Sequence, residues 1–95
     1  MNIATPAIVG IINHFTLSAD QFKKLSEQQL DILWYIFCYG SISPMEAFSE
    51  LSITKLATRI SEMRMIGIQF DQDFESRINR FGKKVRYMRY RKAAA

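Results

Sequence analysis

Two helix-forming segments of this chain lie almost end to end, and that constrains the fold more than any other feature. The first runs from Ser43 to about Glu50, SPMEAFSE. Ser43 is placed to cap it, Pro44 fits the first helical position, and Glu46 stands three residues after the cap, completing a capping box. The second is Ser52 to Gly67, SITKLATRISEMRMIG, with Ser52 or Thr54 as cap and Gly67 as terminator. Only Leu51-Ser52-Ile53 remains as a turn, so the two helices must cross rather than run on. Within the second, Ile53, Leu56, Ala57, Ile60 and Met63 share one face at helical spacing. Lys55, Thr58 and Glu62 point the opposite way, with Thr54 and Arg59 on the flanks. Short hydroxyls and long cations suit phosphates and base edges in a DNA major groove. A solvated amphipathic face is the alternative for the helix taken alone.

The segment that follows favours the first reading. After Gly67 the period changes from helical to alternating: Ile68, Phe70 and Phe74 interleave with Gln69, Asp71 and Asp73. Asn79 and Gly82, in SRINRFG, signal a turn, and Lys83 to Lys92 returns as a second strand. The pattern predicts a β-hairpin directly after the second helix. Charge concentrates there. Residues 1–53 hold two cations against five acids, residues 54–95 hold eleven against four, and from Ser76 onward there are eight cations and no acid. A basic half on a folded domain is an electrostatic footprint for a polyanion. Arg77, Arg80, Lys83, Lys84 and Arg86 would meet the DNA backbone or minor groove beside the reading helix.

Upstream, Ser26 to Gly40, SEQQLDILWYIFCYG, predicts a helix with a Ser26–Gln29 capping box. Its apolar residues run nearly all the way round, so it needs cover on two sides. Residues 1–25 form an apolar N-terminal helical segment. Thr5 with Pro6 offers one helix start, and Ser18 offers another. His14 reads as a packing or capping residue. Together, residues 1–40 provide the natural surface for a homodimer. Ala93 to Ala95 have no fold logic and read as a tail or expression scar.

Composition narrows the functional classes. The chain has 95 residues, 48% of them hydrophobic, which is enough for one small core and too apolar for a disordered chain. With one His and one Cys, a zinc site supplied by the protein is excluded, and Cys38 reads as a buried thiol. No Gly-rich phosphate loop or nucleophile triad can be assembled. Asp71, Asp73 and Glu75 lack the Gly and terminal Glu of a calcium loop and read as an acidic edge. No enzymatic activity and no cofactor are expected. The run Ile3 to Ile12 has no preceding basic residue, is broken by Pro6 and Gly10, and is too short to span a bilayer. A cytoplasmic protein without membrane contact is expected.

From Ser41 to about Lys92 the sequence resembles a small winged helix-turn-helix family of bacteriophages and prophages. The residues that carry the resemblance are SISPMEAFSEL, SITKLATRISEMRMIG and NRFGKKVRYMRYR. It implies a DNA-binding fold. One departure is that the second helix ends in Met65-Ile66, where relatives are commonly basic, which directs that last turn toward the core or a partner. Arg64 falls nearer the apolar face and is assigned a structural bond.

The expected fold is therefore α+β, mainly α: a winged helix-turn-helix with a three-helix core and a C-terminal hairpin wing over residues 26–92, plus the extra segment 1–25. The expected function is sequence-specific binding of double-stranded DNA by a small phage-type regulator. Helix 53–66 would read the major groove and wing 76–86 the backbone. An excisionase-like architectural factor is one alternative, and a module that binds a host protein is another.

Overall fold

The elements of the computed structural model follow one another closely along residues 3–94. Met1, Asn2 and Ala95, the outer ends of the N-terminal segment and the alanine tail, lie outside the described residues. The order is α1 (Thr5–Phe15), α2 (Ala19–Lys24), α3 (Glu27–Tyr39), β1 (Ser41–Ile42), α4 (Pro44–Leu51), α5 (Leu56–Met65), β2 (Phe70–Ile78) and β3 (Lys84–Lys92). The helical core with a small antiparallel sheet is that of a winged helix-turn-helix.

Three helices start the same way. Ser18, Ser26 and Ser43 each accept from the backbone N–H three residues on, and Gln21, Gln29 and Glu46 each accept from the serine's own N–H. Each box satisfies two amide groups that would otherwise lack partners at a helix end. The boxes at Ser26 and Ser43 match the expectation, and at Ser18 the Gln21 half was not anticipated. Thr5 differs: it is the first residue of α1, whose cap position is Ala4 with no side-chain bond.

The turn between α4 and α5 also differs from expectation. Ser52 does not start α5. It closes α4 in the left-handed region, at φ 58°, with its N–H donating to Phe48 O. Ile53 N–H reaches back to Ala47 O at 2.9 Å, and the Ile53 side chain is 1% exposed. Burial of Ile53 thus pins the turn. Thr54 and Lys55 form a bend, and α5 begins at Leu56, three residues later than the apolar pattern implied. Ile53 mimicked a helical residue because a buried turn residue satisfies the same spacing.

The core gathers Ile11 of α1, Leu33 and Ile36 of α3, Ile42 of β1, Ala47 of α4, and Leu56, Ile60 and Met63 of α5. Burying each large aliphatic side chain is worth about 1.5–3 kcal/mol. Ile11 and Leu17 belong to this same cluster, and α1 packs on α3. Only part of the α3 girdle is covered: Phe37 packs on Gly10 and His14 of α1 but stays 36% exposed, and Cys38 and Tyr39 face solvent, so Cys38 is an exposed thiol rather than the buried one expected. The helix ends at Gly40, whose positive φ lets the chain turn into the next strand. His14 stands edge-on to Phe15 and Phe37, with ring centroids 5.0 and 5.5 Å away. Burial, with the Lys92 charge adding to it, pushes its pKa below the ordinary value.

The sheet has three strands in the order β1-β3-β2, all antiparallel. Ser41-Ile42, between α3 and α4, is a two-residue strand. It pairs with β3 because Ile42, fully buried opposite Tyr90, draws its backbone into the ladder. The β2–β3 register runs from Phe70↔Lys92 to Ile78↔Lys84, so β2 is longer and the turn tighter than the sequence suggested. Beyond Phe70 every residue of β2 is exposed, so the hairpin projects from the core as an arm.

Candidate nucleic-acid interface

The two faces of this arm differ by the alternation of the strands. Phe70, Gln72, Phe74, Ser76 and Ile78 share one face with Tyr90, Met88, Arg86 and Lys84 across the ladder. At the base this face is core, because Phe70 and Tyr90 are buried. The opposite face carries Asp71, Asp73, Glu75 and Arg77, facing Arg91, Arg89, Tyr87 and Val85. Its acids are engaged at the base of the arm. Asp73 takes both guanidinium nitrogens of Arg91, Glu75 is bonded to Arg89, and Asp71 accepts from Ala94 N–H. The acidic edge expected there is thus an ion-pair ladder.

Arg89 is the junction of wing and helices. Its Nη1 donates to Ser41 Oγ at 3.0 Å and to Glu46 Oε1 at 2.9 Å, while its Nε bonds Glu75. Against the opposing effect of burial, Glu75 and Glu46 hold its pKa above the ordinary value, and Arg89 in turn holds the Glu75 carboxyl below its own. Glu46 serves at once as the capping-box residue of α4 and the anchor for Arg89. Arg64 makes the second junction. It donates to Phe70 O and to Gln72 Oε1, at 3.1 and 2.7 Å, which is the structural role expected of it.

On α5, Leu56, Ile60 and Met63 turn inward. Counting 100° per residue from Leu56, the outward face comprises Thr58, Ser61, Glu62 and Met65, with Ala57 on its flank. Ala57, Thr58, Ser61 and Met65 are exposed, Met65 at 86%, and the Glu62 side chain is 43% exposed. Ala57 had been expected on the buried face, and Ser61 and Met65 had not been placed on the outer one. The signal for them was the helical spacing itself, which puts Ser61 about 140° and Met65 about 180° from Leu56. Thr54 and Lys55 sit exposed just before the helix, where no side chain caps its start. The first amide groups of α5 therefore lack a side-chain acceptor and carry the positive end of the helix dipole.

Arg59 and Glu62 stand apart from the other candidates. Arg59 Nη1 lies 3.0 Å from Glu62 Oε1, which also accepts from Gln29 Nε2 at 2.9 Å. The Arg59 side chain is 27% exposed, and its Nε is buried without a partner. The pair thus braces α5 against the start of α3, while the Glu62 side chain stays 43% exposed.

At the far end of the arm, Arg77, Arg80, Lys83, Lys84 and Arg86 are all exposed. They do not share one face: Arg77 lies on the side of the acids, Lys84 and Arg86 on the other. Arg86 stacks over Phe74, its guanidinium carbon 4.2 Å from the ring centroid. The turn is organised by Asn79, whose Oδ1 accepts from Phe81 N–H at 2.9 Å and Lys83 N–H at 3.0 Å. Among the described residues there is no cluster of three or more His, Cys, Asp or Glu side chains able to hold a metal ion. Nor is any helix long and apolar enough to cross a membrane.

Two helices crossing at a buried turn, an exposed second-helix face and a basic hairpin arm define a winged helix-turn-helix, a module that works by binding duplex DNA. The chain belongs to the winged helix-turn-helix domain family, which matches residues 27–92. No significant match is found among curated proteins or solved structures.

Proposed function

We propose that this protein binds double-stranded DNA sequence-specifically as a small transcription regulator of phage or prophage type, acting in the cytoplasm. The outer face of α5 enters the major groove. Thr58, Ser61 and Met65 contact base edges, with Met65 and the Thr58 methyl suited to the thymine methyl group. Thr54, Lys55 and the uncapped start of α5 take a backbone phosphate, as helix N-termini do. Arg80, Lys83, Lys84, Arg77 and Arg86 neutralise flanking phosphates. Arg59 and Glu62 contribute mainly by fixing the angle of α5 on α3.

One observation carries this reading: in a member of this family, an exposed hydroxyl- and Met-bearing helix face lies in the same domain as a projecting arm with five exposed cations. A binding selection on random duplex DNA at physiological salt tests it. An enriched motif is expected, and its absence together with the absence of a salt-dependent shift refutes the proposal.

A single module of this size buries limited DNA surface, about 600–1,000 Å² of protein, which favours a homodimer. The exposed Val9, Phe37 and Tyr39 within residues 1–40 support that surface. Sedimentation should show a dimer at tens of micromolar. A monomer there counts against it.

A further inference from the structure

The apolar residues of the wing are not needed for phosphate contact and stay largely exposed, with Arg86 stacked over Phe74 and Arg80 beside Phe81. Ile78 is 65% exposed and Phe81 78%, and Phe74 is exposed on the same face as Ile78. Phe74 and Ile78 lie along one face of the arm and Phe81 stands in the turn at its end, among Arg80, Lys83 and Lys84, all exposed.

Phe81 is also held in place. Its own N–H donates to Asn79 Oδ1, and the same oxygen accepts from Lys83 N–H. Asn79 N–H donates to Lys83 O at 2.9 Å, and Gly82 N–H donates to Asn79 O at 3.0 Å. Gly82 takes a φ of +77°, which a larger side chain would resist, and so lets the loop close. Five residues thus make a tied-down tip whose most prominent side chain is an aromatic ring. A tip ordered in advance loses little conformational entropy when it binds.

We propose that Phe81 is a DNA wedge. It enters the minor groove beside the site covered by α5, inserts partway between two base pairs and bends the duplex away from the protein. This rests on the duplex-binding reading above. The chemistry is that of other minor-groove wedges: an apolar side chain replaces base stacking while neighbouring cations hold the phosphates on either side. Ile78, just below the tip, packs on the sugar face. Pyrimidine–purine steps such as TpA are the easiest to open, so the wedge selects them without any hydrogen bond to a base. The protein would then recognise two features, base edges through α5 and step flexibility through Phe81.

The test uses the full chain and short duplexes with 2-aminopurine placed in successive TpA steps, with donor and acceptor dyes at the ends. Binding itself is followed by fluorescence anisotropy of the same duplexes. Wild type should raise 2-aminopurine emission at one step and shorten the end-to-end distance. Phe81→Ala should abolish both signals and weaken binding about tenfold. Phe81→Trp should retain both. Because Phe81 contacts solvent rather than core, circular dichroism should show the alanine variant folded. Wild-type binding with no change in emission or distance overturns the wedge while leaving duplex binding intact. So does a Phe81→Ala variant that bends DNA as wild type does. Co-sedimentation with anionic phosphatidylglycerol vesicles that depends on Phe81, without any duplex response, also overturns it by giving the tip to a membrane surface. Absence of all duplex binding by wild type refutes the underlying reading instead.

Discussion

Replacing Arg89 by Met should uncouple the wing from the helices while keeping most of the apolar stem in place. Arg89 is 19% exposed and bonds three groups at once: Ser41 Oγ, Glu46 and Glu75. The bonds differ in worth. Glu46 is 34% exposed and also holds the α4 cap, so its bond counts as partly buried and charge-assisted, about 1.5–2 kcal/mol with Ser41 included. Glu75 is exposed and rehydrates when Arg89 goes, so its contact is screened and adds only a few tenths of a kcal/mol. The total is about 2 kcal/mol, which for a domain of this size lowers Tm by roughly 8–16 °C. Urea denaturation at pH 7 measures it without screening the charges. A double-mutant cycle with Glu46→Gln should return a coupling of about 1 kcal/mol. A loss below ~0.5 kcal/mol, or additive single variants, would refute the view that Arg89 anchors the wing.

Three further outcomes follow from the same geometry. A Cβ on Gly10 would sit 2.5 Å from Phe37 Cζ, so Gly10→Ala should cost about 1 kcal/mol net of its helix-propensity gain. In a Phe37→Ala background the same change should stabilise by about 1 kcal/mol, a reversal of sign that thermal melts can detect. Because His14 has a depressed pKa in the folded state, its contribution is present above the unfolded value of about 6.5 and is lost as pH falls through the folded one. Stability measured between pH 7.5 and 5 should therefore fall more steeply for wild type than for His14→Gln. Removing Lys83 and Lys84 together by alanine substitution should weaken binding to all duplexes alike. It should also flatten the dependence of log affinity on log salt by about 1.8, or 0.9 per lost phosphate contact.

The parts of this fold that were legible in the sequence are those governed by local chemistry. Ser26 with Gln29, and Ser43 with Pro44 and Glu46, announce their helices because caps act over three residues and need no tertiary partner. Asn79 and Gly82 announce the turn for the same reason. Features set by distant partners were not legible. Ile53 looked helical because burial, not secondary structure, sets its spacing, and α5 was consequently started too early. Ser41-Ile42 became a strand only because β3 passes beside it, forty-eight residues away at Tyr90. The candidate interface divides along the same line. The exposed cations of the wing were evident from composition, since charge has few other places to go. The bridge from Arg59 through Glu62 to Gln29 was not, since it depends on how α3 and α5 pack. Nor was the prominence of Phe81, which the sequence places in a turn without saying how far its side chain stands out.

The central claim is that duplex DNA lies along the outer face of α5 and the tip of the wing. Amide chemical-shift mapping of the labelled protein, titrated with a duplex enriched from random sequence, tests it most directly. The largest changes should fall at Thr54 to Thr58, Ser61, Met65 and Arg80 to Lys84, with α1 and the exposed end of α3 unmoved by DNA. Changes concentrated at Val9, Phe37 and Tyr39, with α5 and the wing tip unaffected, would contradict it.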